Sequence, residues 1–149
     1  MNLPINQAIL PAASALPLEI SALTAREMCK LYLACLIDIR QGFELEIKGN
    51  LPQAMHIPFF NVKQFFGFSL TDEEQEMLDA DEPSTLDICS FIKAINTLQQ
   101  ARDCSLLVVC NSGRRSQCAT QLLRELGYSR TFSVAGGFLA LKPLYTSVD

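Results

Sequence analysis

The chain is short of what metal sites, membrane spans and nucleic-acid surfaces are built from. It has one histidine, His56, and no cysteine pair at CxxC spacing, so no zinc site is expected. No apolar run approaches the length of a membrane span. Residues 1–17 contain no Lys or Arg and are broken by Pro4, Pro11 and Pro17, so they do not read as a secretory signal, and a cytoplasmic location is expected. There is no basic stripe and no aromatic platform for nucleic acid, no internal repeat and no low-complexity segment. Bases are also missing from a stretch where acids abound. Asp72, Glu73, Glu74, Glu76, Asp79, Asp81 and Glu82 crowd seven acids into eleven residues. The nine remaining acids face twelve bases, leaving an excess of three positive charges outside that window. Such a balance suits a small anionic substrate.

What is present suffices for one domain with its own core. At 149 residues the chain is 49% hydrophobic and 19% charged, so it needs no disulfide staples. The six cysteines (Cys29, Cys35, Cys89, Cys104, Cys110 and Cys118) are scattered and read mostly as reduced core residues. The leader spans residues 1–17, rich in Pro, Ala and Ser, and the domain spans 18–149.

One cysteine has unusual neighbours. Leu106-Leu107-Val108-Val109 is an apolar run of the kind that fills a buried parallel strand. Cys110-Asn111-Ser112-Gly113-Arg114-Arg115 follows as a six-residue loop, and Ser116 is placed to cap the next helix. That helix carries an apolar stripe at Ala119, Leu122, Leu123 and Leu126 and stops at Gly127. A cysteine between a strand end and a helix N-terminus, beside two arginines, is where a thiolate is stabilised. Successive loop N–H groups form an anion-binding nest, with Arg114 or Arg115 placed to hold the anion. Cys118 reads as a helix residue on the core side.

The remaining elements alternate. Leu18–Ile20 predicts a first strand, and Ser21 or Thr24 caps a helix running towards Tyr32. Ala34–Arg40 predicts a second strand, with Asp38 and Arg40 leaving its end on one side. Gly42–Pro52 is an irregular or briefly helical link, and Ala54–Ile57 a third strand on which His56 is a packed or partly exposed residue rather than a base. Asn61–Phe66 predicts a helical turn. Thr71 and Glu74 form a capping box ahead of an acidic helix, read as a solvated face. Thr85–Ala101 predicts another helix, with Leu86, Cys89, Phe91, Ile92, Ile95 and Leu98 on its apolar face. Thr131–Val134 is the last strand; Gly136 and Gly137 turn it into a short helix, Phe138–Leu141, ended by Pro143. Strands alternating with helices imply an α/β parallel sheet covered on both faces. Ligands then bind outside the carboxyl ends of the strands, where Cys110, Asp38, Arg40 and the glycine pair all fall.

Three segments together resemble a single-domain rhodanese, of the thiosulfate sulfurtransferase family. Asp38-Ile39-Arg40 is similar to its Asp-Val-Arg strand end, and Gly49-Asn50-Leu51-Pro52-Gln53-Ala54 to its Gly-His-Ile-Pro-Gly-Ala motif. Cys110-Asn111-Ser112-Gly113-Arg114-Arg115-Ser116 resembles the active loop, and Val134-Ala135-Gly136-Gly137-Phe138 the closing turn. Asn50 and Gln53 depart from the motif, and the helical acidic stretch at about 67–100 is longer than the family's connection. The resemblance implies a five-stranded parallel sheet and a cofactor-free, metal-free sulfur transfer. Cys110 would take a sulfane sulfur from thiosulfate or a persulfide and pass it to cyanide, a thiol or a protein acceptor. Asn111, Ser112, Gly113, Arg114, Arg115 and Ser116 would bind substrate, with Arg115 the arginine that the resemblance turns towards it, and Asp38, Arg40, Gly136 and Gly137 in support. Two rivals are a carrier module whose acidic insert docks a partner, and a Cys-x5-Arg phosphatase or arsenate reductase. The latter needs arginine six positions after the cysteine, where Ser116 stands.

Overall fold

Four short apolar runs and one two-residue edge strand build the sheet. A computed structural model describes residues 16–59 and 70–146. The strands are β1 (Glu19–Ile20), β2 (Cys35–Asp38), β3 (Ala54–His56), β4 (Leu106–Val109) and β5 (Thr131–Val134), in the order β1-β5-β4-β2-β3 and parallel throughout. The helices are α1 (Ala22–Lys30), α2 (Gly42–Lys48), α3 (Asp72–Ala80), α4 (Thr85–Thr97), α5 (Arg114–Glu125) and α6 (Gly137–Thr146). The expected five-stranded α/β architecture is present.

Alternation along each strand sorts side chains into two cores. On one face Ile37, Ile39, Leu106, Val108 and Cys110 meet Phe91 and Ile95 of α4 and Ala119 and Leu123 of α5. On the other, Leu36, Leu107, Val109 and Val134 meet Ala25 and Cys29 of α1 and Phe138 and Leu141 of α6. Each buried Val, Leu, Ile or Phe among them contributes about 1.5–3 kcal/mol before ordering costs. The register sets Asp38 opposite both His56 and Val109, so β2, β3 and β4 end at one level and deliver Ile39 and Cys110 together at the carboxyl edge.

Several local expectations change. Ser21, not Thr24, caps α1, its side chain accepting the Thr24 N–H at 3.1 Å, and the helix stops at Lys30. Residues 42–48 are a full α-helix. The α4 stripe runs through Ile88, Phe91, Ile92 and Ile95, whereas Leu86, 72% exposed, and Cys89 lie off it. Each stands two positions before a stripe residue, Leu86 before Ile88 and Cys89 before Phe91, about half a turn round the helix. Helix α6 runs through Pro143. The lost hydrogen bond is outweighed because Phe138 and Leu141 are buried and Leu144 and Tyr145 pack against the same core. The expected Asn61–Phe66 turn and most of the 1–17 leader lie outside the described residues.

Candidate active site

Strand β4 is entirely buried and ends at Val109, so Cys110 is the first residue free to leave the sheet. Gly113 then takes a left-handed backbone, φ +102°, which reverses the chain into α5 within three residues. The reversal aims backbone donors at the thiol. The Gly113 N–H reaches Cys110 Sγ at 3.1 Å and the Ser116 N–H at 3.3 Å, and the Ser116 hydroxyl stands 3.4 Å away. A second hydroxyl, on Ser133 of β5, lies 2.6 Å from that of Ser116. The loop is tighter than its sequence suggests. Arg114 and Arg115 belong to the first turn of α5, and Ser116 sits inside the helix instead of capping it, because Gly113 occupies the cap position.

The loop's carbonyls point the other way. Cys110 O accepts the Phe138 N–H at 2.7 Å, and Asn111 O accepts the Leu139 N–H at 3.1 Å. This contact brings Gly137 against the loop: a Cβ there would stand 2.4 Å from Cys110 O and 2.6 Å from Asn111 O. Gly136 has φ +75°, and a Cβ on it would come within 2.7 Å of the Ala140 side chain. The glycine pair is thus a steric requirement of the turn that holds the loop. Facing it, Arg40 and Asp38 form a wholly buried ion pair at 2.8 Å. The Arg40 guanidinium stacks 3.8 Å over the Phe138 ring and donates to Gly49 O at 3.0 Å. The pair braces the end of β2 and the α6 turn. His56 is exposed, and its Nε2 lies 2.6 Å from Arg40 O.

The two loop arginines are already engaged. Arg115, with no exposed side-chain surface, spans Glu44 through two bonds of 2.9 and 2.8 Å and reaches Asp79 at 3.2 Å. Gln75 donates to both carboxylates, at 3.3 and 3.0 Å, and Asn111 of the loop donates to Asp79 at 3.1 Å. Burial alone would raise the Glu44 pKa, but the Arg115 guanidinium outweighs it and holds the carboxyl below the usual range. Burial would likewise lower the Arg115 pKa; Glu44 reverses that, and Arg115 stays above its ordinary value. Exposed Arg114 pairs with Glu76 of α3. The placement expected for Arg115, facing substrate, is therefore corrected: its guanidinium fills a carboxylate pocket beneath the loop. The acidic helix is equally not a purely solvated face, since Asp79 is buried against the loop.

Glu44, Gln75, Glu76, Asp79 and Ser133 are the site neighbours that sequence reasoning missed. Gln75, Leu78 and Asp79 share one face of α3, a local sign that this face packs; nothing local names its partner. Cys118 is also corrected: it is exposed and lines a cleft of about 200 Å³ with Phe59, Asp79, Glu82, Arg114 and Arg115. Partial desolvation by the walls of that cleft, aided by the Glu82 charge, pushes its thiol pKa up. Burial does the same to Cys29 and Cys104. Among the described residues, no group of three or more His, Cys, Asp or Glu is arranged to hold a metal ion, and no helix is long and apolar enough to cross a membrane.

Comparison with known proteins places this geometry. A family model described as a rhodanese-like domain matches residues 21–143. Among solved structures, the human single domain sulfurtransferase TSTD1 is 24% identical with a TM-score of 0.56, covering 89% of this chain and 99% of that one. A rhodanese-related protein from Thermoplasma volcanium is 22% identical with a TM-score of 0.52, covering 85% and 91%. A Rhodopseudomonas palustris protein of unknown function, described as a possible tyrosine phosphatase, is 20% identical with a TM-score of 0.58, covering 96% and 92%. At these identities the likeness is one of fold. No curated protein sequence matches the chain.

Proposed function

The chain belongs to the rhodanese-like domain family, and from that premise we propose that it is a sulfurtransferase working through a persulfide on Cys110. The observation that carries this reading is the pair of N–H groups, from Gly113 and Ser116, directed at Cys110 Sγ. They stabilise negative charge on sulfur in the thiolate and again in the persulfide. Being backbone groups on a braced turn, they are in place before substrate arrives.

The step is a displacement at sulfur. The Cys110 thiolate attacks the outer, sulfane sulfur of a donor such as thiosulfate or a persulfide. A bond forms between the two sulfurs as the donor's own sulfur bond breaks, and the electron pair departs with the leaving group, sulfite or a thiolate. The transferred sulfur, now the terminal atom of the Cys110 persulfide, is then attacked by cyanide, a thiol or a protein thiol, which regenerates the Cys110 thiolate. No metal or redox cofactor enters the balance. Ser116 sets a hydroxyl beside the sulfur and is itself held by the Ser133 hydroxyl, and Asn111 positions the loop through Asp79.

The test is mass spectrometry of the intact protein after exposure to a sulfane-sulfur donor, thiosulfate in one arm and a persulfide in the other. We expect one added sulfur, mapped to Cys110. Cys110→Ser should keep the fold yet lose sulfur loading and turnover by at least about a thousandfold, as expected for removal of a nucleophile. Loading retained in that variant refutes the assignment. Assay with an aryl phosphate separates the phosphatase reading, and phosphate release without sulfur transfer would replace ours.

A further inference from the structure

The charge balance around the loop bears on which donor the site admits. Arg40, Arg114 and Arg115 are its cations among the described residues with salt bridges there. They are paired with Asp38, Glu76, Glu44 and Asp79, so three guanidiniums meet four carboxylates. The one guanidinium with substantial exposure, that of Arg114, is held by Glu76. Two of the four carboxylates, Glu76 and Asp79, come from α3, the acidic helix between β3 and β4. Asp79 acts from directly beneath the loop, where it takes a hydrogen bond from Asn111 as well as the Arg115 charge. Asp81 and Glu82 line the adjoining cleft. Among the described residues, the neighbourhood therefore offers oriented N–H groups to a sulfur atom and no net positive charge to a bulky dianion.

We propose that Glu76 and Asp79 of α3 are specificity-determining residues that turn the Cys110 site away from the thiosulfate dianion and towards persulfide donors, which can present the outer sulfur as an uncharged RS–SH group. This rests on the reading of Cys110 as the sulfur-accepting nucleophile. The two donors differ in what the site must neutralise. With thiosulfate, Cys110 S⁻ takes the outer sulfur and expels sulfite, so a doubly charged leaving group must be held where carboxylates already occupy the arginines. With a persulfide, RS–SH, Cys110 S⁻ takes the outer sulfur and expels RS⁻, and the proton passes to RS⁻ to give a neutral thiol. The single negative charge then stays on the Cys110 persulfide, facing the Gly113 and Ser116 N–H groups. Only the second reaction matches the donors present.

The experiment measures kcat/KM of the full chain with thiosulfate, with cysteine persulfide, and with a persulfidated peptide bearing lysines. We expect either persulfide to exceed thiosulfate by about tenfold or more, the scale of one extra unit charge near a partly screened carboxylate. The ratio between the two persulfides tells a free donor from a protein-borne one. Glu76→Gln, an exposed change that frees Arg114, should narrow the persulfide-to-thiosulfate ratio about threefold, the scale of an exposed ion pair. A merely structural role for Glu76 would move both donors together. Thiosulfate equalling or exceeding the persulfides, or a ratio unmoved by Glu76→Gln, overturns the proposal and leaves the sulfurtransferase reading standing. Failure of every donor to load Cys110 overturns both.

Discussion

Arg115 shows how one side chain can belong to the loop and to the core at once. Its backbone completes the first turn of α5, while its guanidinium lies wholly buried between Glu44 of α2 and Asp79 of α3. Removing one partner of such a network leaves a buried charge uncompensated. Glu44→Gln should therefore cost about 3–5 kcal/mol, read from urea unfolding at neutral pH. The pH dependence follows from sign. The Glu44 carboxyl is held below its ordinary pKa in the folded state, so its contribution is complete above the unfolded value of about 4.3 and is lost as pH falls through the lower, folded value. Wild type should lose stability steeply in that acid range, and Glu44→Gln should flatten the curve there. An equal acid slope in both proteins would remove Glu44 from the account.

At the scale of elements, α3 is the one whose position decides most. Thr71 and Glu74 begin it with a reciprocal capping box, and its buried face of Gln75, Leu78 and Asp79 lies over the loop and α2. Thr71→Ala should cost about 1 kcal/mol and lower Tm by about 3 °C, measured by thermal unfolding. The capping box itself could be read from the sequence, as could the strands, most plainly β4, an apolar run that only a two-sided core can bury. The cysteine loop was equally legible, since cysteine, glycine and both arginines are neighbours in the chain. The docking of α3 was not. Asp79 meets Asn111 and Arg115 across 32 and 36 positions, and helical periodicity tells which face is buried without telling against what. The phase error in α4 and the extension of α6 through Pro143 have the same origin. In each, packing against a distant element overrode a local signal.

For the molecule as a whole, the formal charge of −4 conceals an internal cancellation. The acidic window and the basic remainder look like opposite poles along the chain, yet folding brings Glu76 and Asp79 onto the arginines of the loop. Long-range steering of donors should then be weak. Sulfur transfer from cysteine persulfide should change less than about twofold between low and physiological salt, measured as kcat/KM across a sodium chloride series. A steep decline would reveal an electrostatic funnel that these pairs do not provide. The backward-facing carbonyls of Cys110 and Asn111, tied to the first amides of α6, complete the picture. Because the main chain is sorted this way, with N–H groups towards the sulfur and C=O groups away from it, the electrostatic setting of Cys110 is written in backbone geometry rather than in side chains. It hangs on glycine at 113 and 137, where a side chain would be strained or would meet the loop's own carbonyls. A change at either glycine should therefore disturb the surroundings of the sulfur more than a change at an exposed neighbour such as Arg114.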